Sequence, residues 1–315
     1  MAVDLARRLG FLVLTLLVSS VVIFAVCAWL PGDPATTLLG TQATPGAVRQ
    51  LRHQLGTDRP ITTQYVSWLG GLVHGDFGRS YITRLHVWPQ IESRLAVTGS
   101  LVLVGMVFAL LIAVPFGIFA AMRHRKFSGL LASGLSQLGL AIPAFWVGIL
   151  LSFLFAVKLR LLPPGGYTPF RQDPGEWLRH LVLPGISLAL VQGAVLSRYV
   201  RAAVLDVLRE DYIRTARAGG ATLSQALWRH GLRNAAIPVV TVLGLQLATL
   251  LVGAIVIESV FTMPGLGLML LQAVGNRDLV LVEGTVMLLV GAVLILNFCV
   301  DLLYLLLDPR LRRTR

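Results

Sequence analysis

The chain has few charged residues and almost no lysine. Only 13% of its 315 residues are charged, and its two lysines, Lys126 and Lys158, follow Arg125 and Val157. A phosphate-cradling P-loop needs a lysine directly after a glycine, so the sequence excludes this kind of nucleotide site.

Cysteine is equally scarce, and the six histidines are dispersed. Cys27 and Cys299 both fall in apolar runs, where a thiol behaves as a small apolar residue, and two such residues give no disulfide framework. The sequence contains no His-x-x-x-His or Cys-x-x-Cys spacing typical of metal sites and no Gly-x-Ser-x-Gly elbow typical of hydrolases. We therefore predict no catalytic residue, no metal site and no cofactor bound by this chain.

Long apolar runs are abundant. Hydrophobic residues make up 56% of the sequence, and the mean hydropathy is +0.77. A helix crosses the hydrocarbon core of a bilayer, roughly 30 Å thick, with about 20 residues, and continuous apolar runs of this length do not fit the alternating strands of a barrel. We predict an all-α membrane protein with six transmembrane helices. The predicted spans are Leu9–Leu30, Leu95–Met122, Phe127–Val157, Leu181–Val200, Ala235–Ile257 and Gly284–Leu307.

The basic residues are distributed unequally between the two sides that six spans define. The two termini, Arg123–Lys126 and Arg198–Arg233 together hold 16 of the 27 basic residues and 5 of the 15 acidic residues. The positive-inside rule places these segments, and so both termini, in the cytoplasm. The run Leu9–Leu30 is longer than a signal-peptide core, which predicts an uncleaved first span. The net charge of +12 is then a topology signal and indicates no nucleic-acid partner.

The loop after the first span is large enough for a small folded subdomain. Pro31–Arg94 contains 64 residues, and its pattern predicts short helices at Ala47–Leu55 and Ile61–Leu72, followed by a turn at Gly75–Gly78. The second helix places Tyr65, Trp68 and Leu69 on one face. Two interpretations remain open: a cap on the membrane surface, and a contact site for an extracytoplasmic partner that delivers cargo.

Polar side chains within the spans are the candidates for a translocation path. A carboxylate at the bilayer centre costs about 2.5 kcal/mol or more, so such residues usually face a cavity or a partner. Asp301 is the strongest candidate, with an ion pair to Arg198 or Arg310 as the alternative. Glu258 and Glu283 stand at the outer ends of the fifth and sixth spans, where a carboxylate can extend to the headgroups at little cost. The uncharged candidates, which either hold helices together or line the path, are Gln137, Gln192, Gln246 and Asn297.

A polar segment, Arg201–Asn234, interrupts these apolar runs with six arginines. Its periodicity predicts an amphipathic helix over Val204–Ala218 that continues from the fourth span and ends at Gly219-Gly220. Thr222 and Gln225 stand in capping-box spacing, which predicts a second helix over Thr222–His230. A loop lying on lipid headgroups remains the alternative, but two helices of fixed direction favour a docking site for a cytoplasmic protein.

At these residues the chain resembles the permease subunits of ATP-binding-cassette (ABC) importers. Their cytoplasmic loop carries Glu-Ala-Ala, three residues, a glycine, nine residues and Ile-x-Leu-Pro. The match to this general pattern is partial, with Arg214-Thr215-Ala216, Gly220, His230, Leu232 and Arg233 in the corresponding places. The longer run Asp211–Gly244 is more similar to the oligopeptide, dipeptide and nickel permease branch. Gly219 departs from that branch, which often has lysine there.

Further fragments extend the resemblance over nearly the whole chain and favour the B-type member of that branch. These fragments are Pro31–Ala35, Gly75–Ser80, Phe261–Gly267 and Asp308–Arg310. The resemblance implies a MetI-like type I ABC importer permease fold with an N-terminal extracytoplasmic insertion. It divides the chain into 1–94, with the first span and the outer loop, 95–307, a five-helix core that includes the coupling loop 201–234, and a basic tail, 308–315.

The resemblance also implies the partners. They are a second, C-type permease, two cytoplasmic ABC ATPases that use ATP and Mg²⁺, and an extracytoplasmic solute-binding protein, all at the bacterial inner membrane. The short helix would insert into an ATPase, with Leu223, Leu227 and Trp228 as apolar anchors and Arg229 and Arg233 as rim charges. The candidate ATPase-coupling residues are Arg214, Thr215, Ala216, Gly220, Thr222, Leu223, Leu227, Trp228, His230 and Arg233.

The cargo is left open by the sequence. The branch carries dipeptides, oligopeptides, nickel chelates and related small solutes, and di- or oligopeptides are our first expectation. An ion-coupled secondary transporter is the alternative from another class, but it needs paired intramembrane charges, and Asp301 is the single candidate. A structural anchor for a cytoplasmic enzyme is a third possibility, although it would not explain the outer loop Pro31–Arg94.

Overall fold

The computed structural model describes residues 2–29 and 33–307, without the side chains of residues 2–4, 140, 301 and 303–307. The predictions made for Leu30, Pro31, Gly32, the tail 308–315 and the side chain of Asp301 therefore lie outside the described residues. The α-helices of the described part are α1 (Ala2–Trp29), α2 (Pro34–Leu39), α3 (Pro45–Leu55), α4 (Ile61–Val73), α5 (Val87–Met122), α6 (Phe127–Ala141), α7 (Ala144–Leu151), α8 (Pro174–Leu208), α9 (Asp211–Ala218), α10 (Leu223–Ala226), α11 (Leu232–Val260), α12 (Leu266–Gly275) and α13 (Leu279–Leu307).

The fold is all-helical, as the sequence predicts. Five helical segments are long and apolar enough to cross a membrane, and a sixth is added if one bent pair counts as a single span. The five are Leu5–Trp29, Val87–Met122, Pro174–Leu208, Leu223–Val260 and Leu279–Val300. The predicted first, second, fourth, fifth and sixth spans all lie largely within these segments. Side-chain caps set two of the helix starts, through Asp173 before α8 and Thr222 before α10.

The predicted third span, Phe127–Val157, is not one straight helix. Its two halves, Phe127–Gly139 and Ala144–Lys158, are bent by 95°. The bend has a local cause, because Ile142 is extended, with φ −94° and ψ 122°, as is usual for a residue before proline. Pro143 in turn has no backbone N–H to continue the helical ladder. The second half ends in a π-helical turn, Ser152–Lys158.

The chain forms two compact units. Unit 1 comprises the described residues up to Ala96 together with Pro264–Phe298, and unit 2 comprises Val97–Met263 with the described residues from Cys299 onward. The boundary near residue 96 lies close to the end of the predicted N-terminal part. The unit division also assigns Pro264–Phe298 to the same unit as the N-terminal part, a grouping that no local sequence pattern indicates.

The core of unit 2 is built around α8, which packs against α6, α7 and α11. Leu181, Leu188 and Leu196 of α8 are buried, together with Leu250 of α11. A small residue permits close approach elsewhere: a Cβ atom on Gly117 of α5 would lie 2.7 Å from the Ser197 carbonyl oxygen of α8. Small residues at helix contacts are typical of membrane bundles, where packing replaces the hydrophobic drive.

The two glutamates at the outer span ends are buried. Glu258, near the end of α11, has no exposed surface and accepts a hydrogen bond from Oγ1 of Thr98 in α5. Glu283, one turn into α13, is 8% exposed. Neighbouring parts of the chain cover both side chains, so these glutamates do not use the low-cost position at the headgroups. The position of a glutamate at the end of a span does not indicate whether other parts of the chain bury it.

The outer loop folds as the sequence predicts. The expected helices Ala47–Leu55 and Ile61–Leu72 correspond to α3 and α4, and Thr44 caps α3 through a hydrogen bond from the Ala47 N–H. The aromatic face of α4 packs against α1: the rings of Tyr65 and Trp68 lie 5.4 and 5.7 Å from that of Phe24. The Tyr65 hydroxyl also contacts Ser20 Oγ at 2.9 Å. This face is therefore used inside unit 1.

A buried carboxylate fixes the end of the outer loop. Asp278, 2% exposed, accepts hydrogen bonds from the hydroxyl of Ser80 and, at 3.0 Å, from the backbone N–H of Tyr81. Burial raises the pKa of the Tyr81 phenol to about 12, and the carboxylates of Glu283 and Asp278 act in the same direction. The phenol is therefore neutral at physiological pH. We call the three residues Ser80, Tyr81 and Asp278 the outer clasp.

Candidate coupling site

The polar segment 201–234 rests on its own small hydrophobic core in unit 2. Val204 and Val207 of α8, Ile213 of α9, and Ala226 and Leu227 are all buried and belong to one cluster. The side chains of Ile213 and Leu227 have no exposed surface. The segment therefore has a defined shape, held by contacts within the chain.

The predicted helix Val204–Ala218 is two helices. α8 ends at Leu208 and α9 begins at Asp211, because Glu210 adopts an extended conformation with φ −67° and ψ 147°. This break turns the chain so that Ile213 points back into the core. The sequence pattern did not reveal it, because Val204, Leu208 and Tyr212 have helical spacing whether or not the helix is continuous.

The turn and the cap that follow agree with the prediction. Gly220 has φ +92°, a left-handed conformation that residues with a side chain rarely adopt. It lies in the turn that follows α9. Thr222 Oγ1 then accepts a hydrogen bond from the Gln225 N–H at 3.3 Å, and the Thr222 N–H donates to Gln225 Oε1 at 2.9 Å. This capping box fixes the start of α10.

The short helix expected at Thr222–His230 is not separate from the following span. α10 continues through a π-helical turn, Leu227–Gly231, directly into α11, so one helix runs over Leu223–Val260. A close approach accompanies the π turn, because a Cβ atom on Gly231 would lie 2.8 Å from Val207 Cγ1. The capped end is therefore the start of the same helix that is long and apolar enough to cross the membrane.

The candidate coupling residues fall into two groups. Leu227 is buried, so the expectation that it anchors a partner is replaced by a role in supporting the helix from inside. Trp228, the next residue, is 61% exposed and lies on the solvent-exposed face of the helix. Leu223 and Ala216 are half-buried. The exposed candidates are Arg214, Thr215, Gly220, Thr222, Trp228, His230 and Arg233.

The free surface carries positive charge. Arg214, Arg217, Arg229 and Arg233 are exposed. Arg214 forms an ion pair with Asp211 on the same helix, at 3.2 Å. Both members of this pair are highly exposed, so the pair adds little stability. An exposed tryptophan among arginines has the composition of a compact protein interface.

Three residues that support the site were not singled out from the sequence. Ile213 and Gly231 hold α9 and the π turn against α8. Asn234 Nδ2 donates to the hydroxyl of Tyr212 at 3.0 Å and so joins the start of α11 to α9. Ile213 is apolar but lay outside the apolar face predicted for this segment, and no local signal indicates that Gly231 approaches α8.

The path candidates are dispersed. Gln137 is exposed on α6, Gln192 is buried on α8, and Gln246 is half-buried on α11. Asn297 on α13 has a buried Oδ1 without a hydrogen-bond partner in the described residues. No hydrogen bond joins any two of these side chains within the described ranges. Their role in a path stays a prediction.

The described part of the chain contains no group of three or more His, Cys, Asp or Glu residues placed to hold a metal ion. The groups that the candidate coupling site exposes are an indole, guanidinium groups and a capped helix end. Its position at the start of a long apolar helix distinguishes it from an ordinary surface patch.

Two family models match the chain. The model described as "Binding-protein-dependent transport system inner membrane component" matches residues 113–313, which include the whole coupling site. The model of the N-terminal part of the same membrane component matches residues 1–102. Together they extend over nearly the whole sequence.

Similar proteins extend over the full length. The chain is 37% identical to the dipeptide transport system permease DppB of Escherichia coli (strain K12), over 98% of each chain. It is also 37% identical to the di/tripeptide transport system permease DppB of Pseudomonas aeruginosa, over 99% of each. A crystal structure of an amino acid ABC transporter with histidines matches 70% of this chain and 94% of its own, with a TM-score of 0.52 and 17% identity, which supports the fold alone.

Proposed function

Because the chain belongs to the family of binding-protein-dependent transport system inner membrane components, we propose that it is the B-type permease of an ABC importer for di- or oligopeptides. A second, C-type permease completes the translocation path, and an extracytoplasmic solute-binding protein delivers the peptide. Two relatives that match over at least 98% of their length are named as permeases of a dipeptide and a di/tripeptide transport system. These names support a peptide cargo.

Several properties of the chain follow from its family. It is a multi-pass inner-membrane permease subunit and not itself the ATPase, and members of the family bind no cofactor themselves. Its transport depends on a binding protein and on ATPase partners. We further propose that the importer contains two ATPase subunits and that both termini and the coupling site lie in the cytoplasm. The excess of basic residues in the termini and in the loops on that side supports this orientation.

The observation that carries the proposed coupling role is the continuous helix Leu223–Val260, capped at one end by Thr222 and Gln225. The exposed face of its first turns, with Trp228, Arg229 and Arg233, binds a groove of an ATPase subunit. When the ATPases close around ATP, they displace this end. Since Leu227 and Gly231 hold the turn against α8, the displacement moves the membrane helices together.

The test is transport by the complete complex in proteoliposomes. We expect accumulation of a labelled dipeptide to need ATP, Mg²⁺ and the binding protein, and to persist when ionophores dissipate ion gradients. Uptake driven by an ion gradient without ATP would refute the importer assignment. ATP-driven uptake of a nickel chelate with no uptake of any peptide would instead keep the importer and refute the peptide cargo.

A further inference from the structure

Unit 1 contains a cavity that the coupling role does not use. Its volume is about 370 Å³, within the 300–1,000 Å³ usual for small-molecule sites. Phe24 and Ala28, from the last turns of α1, line it together with Val280 and Glu283, from the first turns of α13. The cavity therefore adjoins the ends of two membrane-spanning helices, where apolar core and polar surroundings meet.

A buried carboxylate without a partner faces this cavity. Glu283 is 8% exposed, lines the cavity, and makes no hydrogen bond or ion pair with any side chain that the structure describes. An isolated charge in such a place is costly, and buried charges are normally paired. A bound cationic group would supply the missing partner.

Positive charge is also present in the cavity lining, but it is not used to neutralise Glu283. Arg59 and Arg79 both line the cavity, are exposed, and form no ion pair with a described residue. The other lining carboxylate, Asp76, already accepts a hydrogen bond from the Gly78 N–H at 2.9 Å. The lining thus offers one unpaired buried carboxyl group and two unpaired, exposed cations, a distribution complementary to a zwitterion.

The remaining polar wall is neutral. Tyr81 lines the cavity as an un-ionised phenol, because burial raises its pKa to about 12, and its N–H is already bonded to Asp278 in the outer clasp. The outer clasp thereby fixes the chain that carries Arg79 and Tyr81. The cavity is preformed, and a ligand would not have to order these residues on binding.

We propose that this cavity binds a small zwitterion whose primary ammonium group pairs with Glu283 and whose anionic group lies at Arg59 and Arg79. Two sources share this chemistry. One is the headgroup of an ethanolamine phospholipid, which the position at two span ends favours. The other is a short peptide with a free amino terminus, and only this source rests on the proposed cargo.

The experiment measures retained ligands by native mass spectrometry on the complete complex in nanodiscs. One arm uses phosphatidylglycerol nanodiscs with either phosphatidylethanolamine or phosphatidylcholine, whose trimethylammonium group has no N–H to donate. The other arm adds dialanine to complexes in phosphatidylcholine nanodiscs. Each arm compares the wild type with Glu283→Gln, which keeps the shape and removes the charge. The matched control is Glu92→Gln, an exposed glutamate on α5 outside the cavity.

We expect phosphatidylethanolamine or dialanine to be retained by the wild type and by Glu92→Gln, and at least about tenfold less by Glu283→Gln, as for loss of one partner of a buried charge pair. The arm that shows this difference identifies the source. Arg59→Ala with Arg79→Ala, both exposed, gives a second test if Glu283→Gln does not fold. Retention of neither ligand, or equal retention by the wild type and the cavity variants, would overturn the proposal. Peptide import that persists with an empty cavity would leave the proposed function intact.

Discussion

Thr222 and Gln225 satisfy each other's backbone groups at the start of the continuous helix Leu223–Val260, which we call the coupling helix. The Thr222 hydroxyl accepts from the Gln225 N–H, and the Gln225 side chain accepts from the Thr222 N–H. Directly after this box the helix passes through Leu227–Gly231 into the membrane without a break. A cap on an ordinary loop helix affects only that helix, whereas this cap stabilises the free end of a membrane-spanning element.

Removing the cap should weaken coupling. Thr222→Ala deletes the acceptor for the Gln225 N–H, and losses of this kind destabilise a helix by about 1 kcal/mol. We expect more ATP hydrolysed per peptide imported, with faster amide hydrogen exchange over 222–231. Thr222→Ser retains a hydroxyl and should behave as the wild type. Unchanged exchange in Thr222→Ala would show that the cap does not hold this end.

The small residue in the π turn is a packing requirement. Gly231→Ala would place a Cβ atom 2.8 Å from Val207 Cγ1 and 3.0 Å from Leu227 Cδ1. Overpacking of this kind costs about 1–3 kcal/mol, so we expect a lower thermal unfolding midpoint of the purified complex. Gly134→Ala, on α6 with open space around it, is the control. Adding Val207→Ala to Gly231→Ala should restore much of the loss, and failure to do so would place the strain elsewhere.

Adjacent residues on the coupling helix should respond differently to the same substitution. Leu227 has no exposed surface, so Leu227→Asp buries an unpaired carboxylate and should reduce the amount of folded complex by a destabilisation of about 3 kcal/mol or more. Trp228 is 61% exposed, so Trp228→Asp should leave that amount near wild type while reducing transport. Size-exclusion yield and uptake separate the two effects. Equal yields for both variants would contradict the burial of Leu227.

The outer clasp should stabilise unit 1. Ser80→Ala removes a donor from the buried carboxylate of Asp278, and an unsatisfied buried group costs about 1–3 kcal/mol. We expect faster proteolysis of the outer loop in the folded complex. Ser93→Ala removes an exposed hydroxyl that donates only to the Gln90 carbonyl, and it serves as the control. Equal proteolysis of the two variants would count against the clasp.

Much of this fold follows from the sequence where the cause is local. Composition and apolar run length predicted the spans, and the spacing of Thr222 and Gln225 predicted the cap, because both depend on residues within a few positions. The burial of Leu227 and Glu283 did not follow, since it depends on helices distant in sequence. The bend at Pro143 lies between these cases. A proline inside a helix favours a kink, but the 95° angle of the bend is a property of the folded chain.

The central claim is that the exposed face of the coupling helix transmits ATP hydrolysis to transport. The most direct measurement is dipeptide uptake and ATPase activity of the reconstituted complex with Trp228→Ala, beside Trp29→Ala, an exposed tryptophan at the end of α1. We expect Trp228→Ala to lower uptake by about tenfold or more, the size of an interface hot spot, while the complex still inserts and Trp29→Ala transports normally. Wild-type uptake by Trp228→Ala would contradict the account.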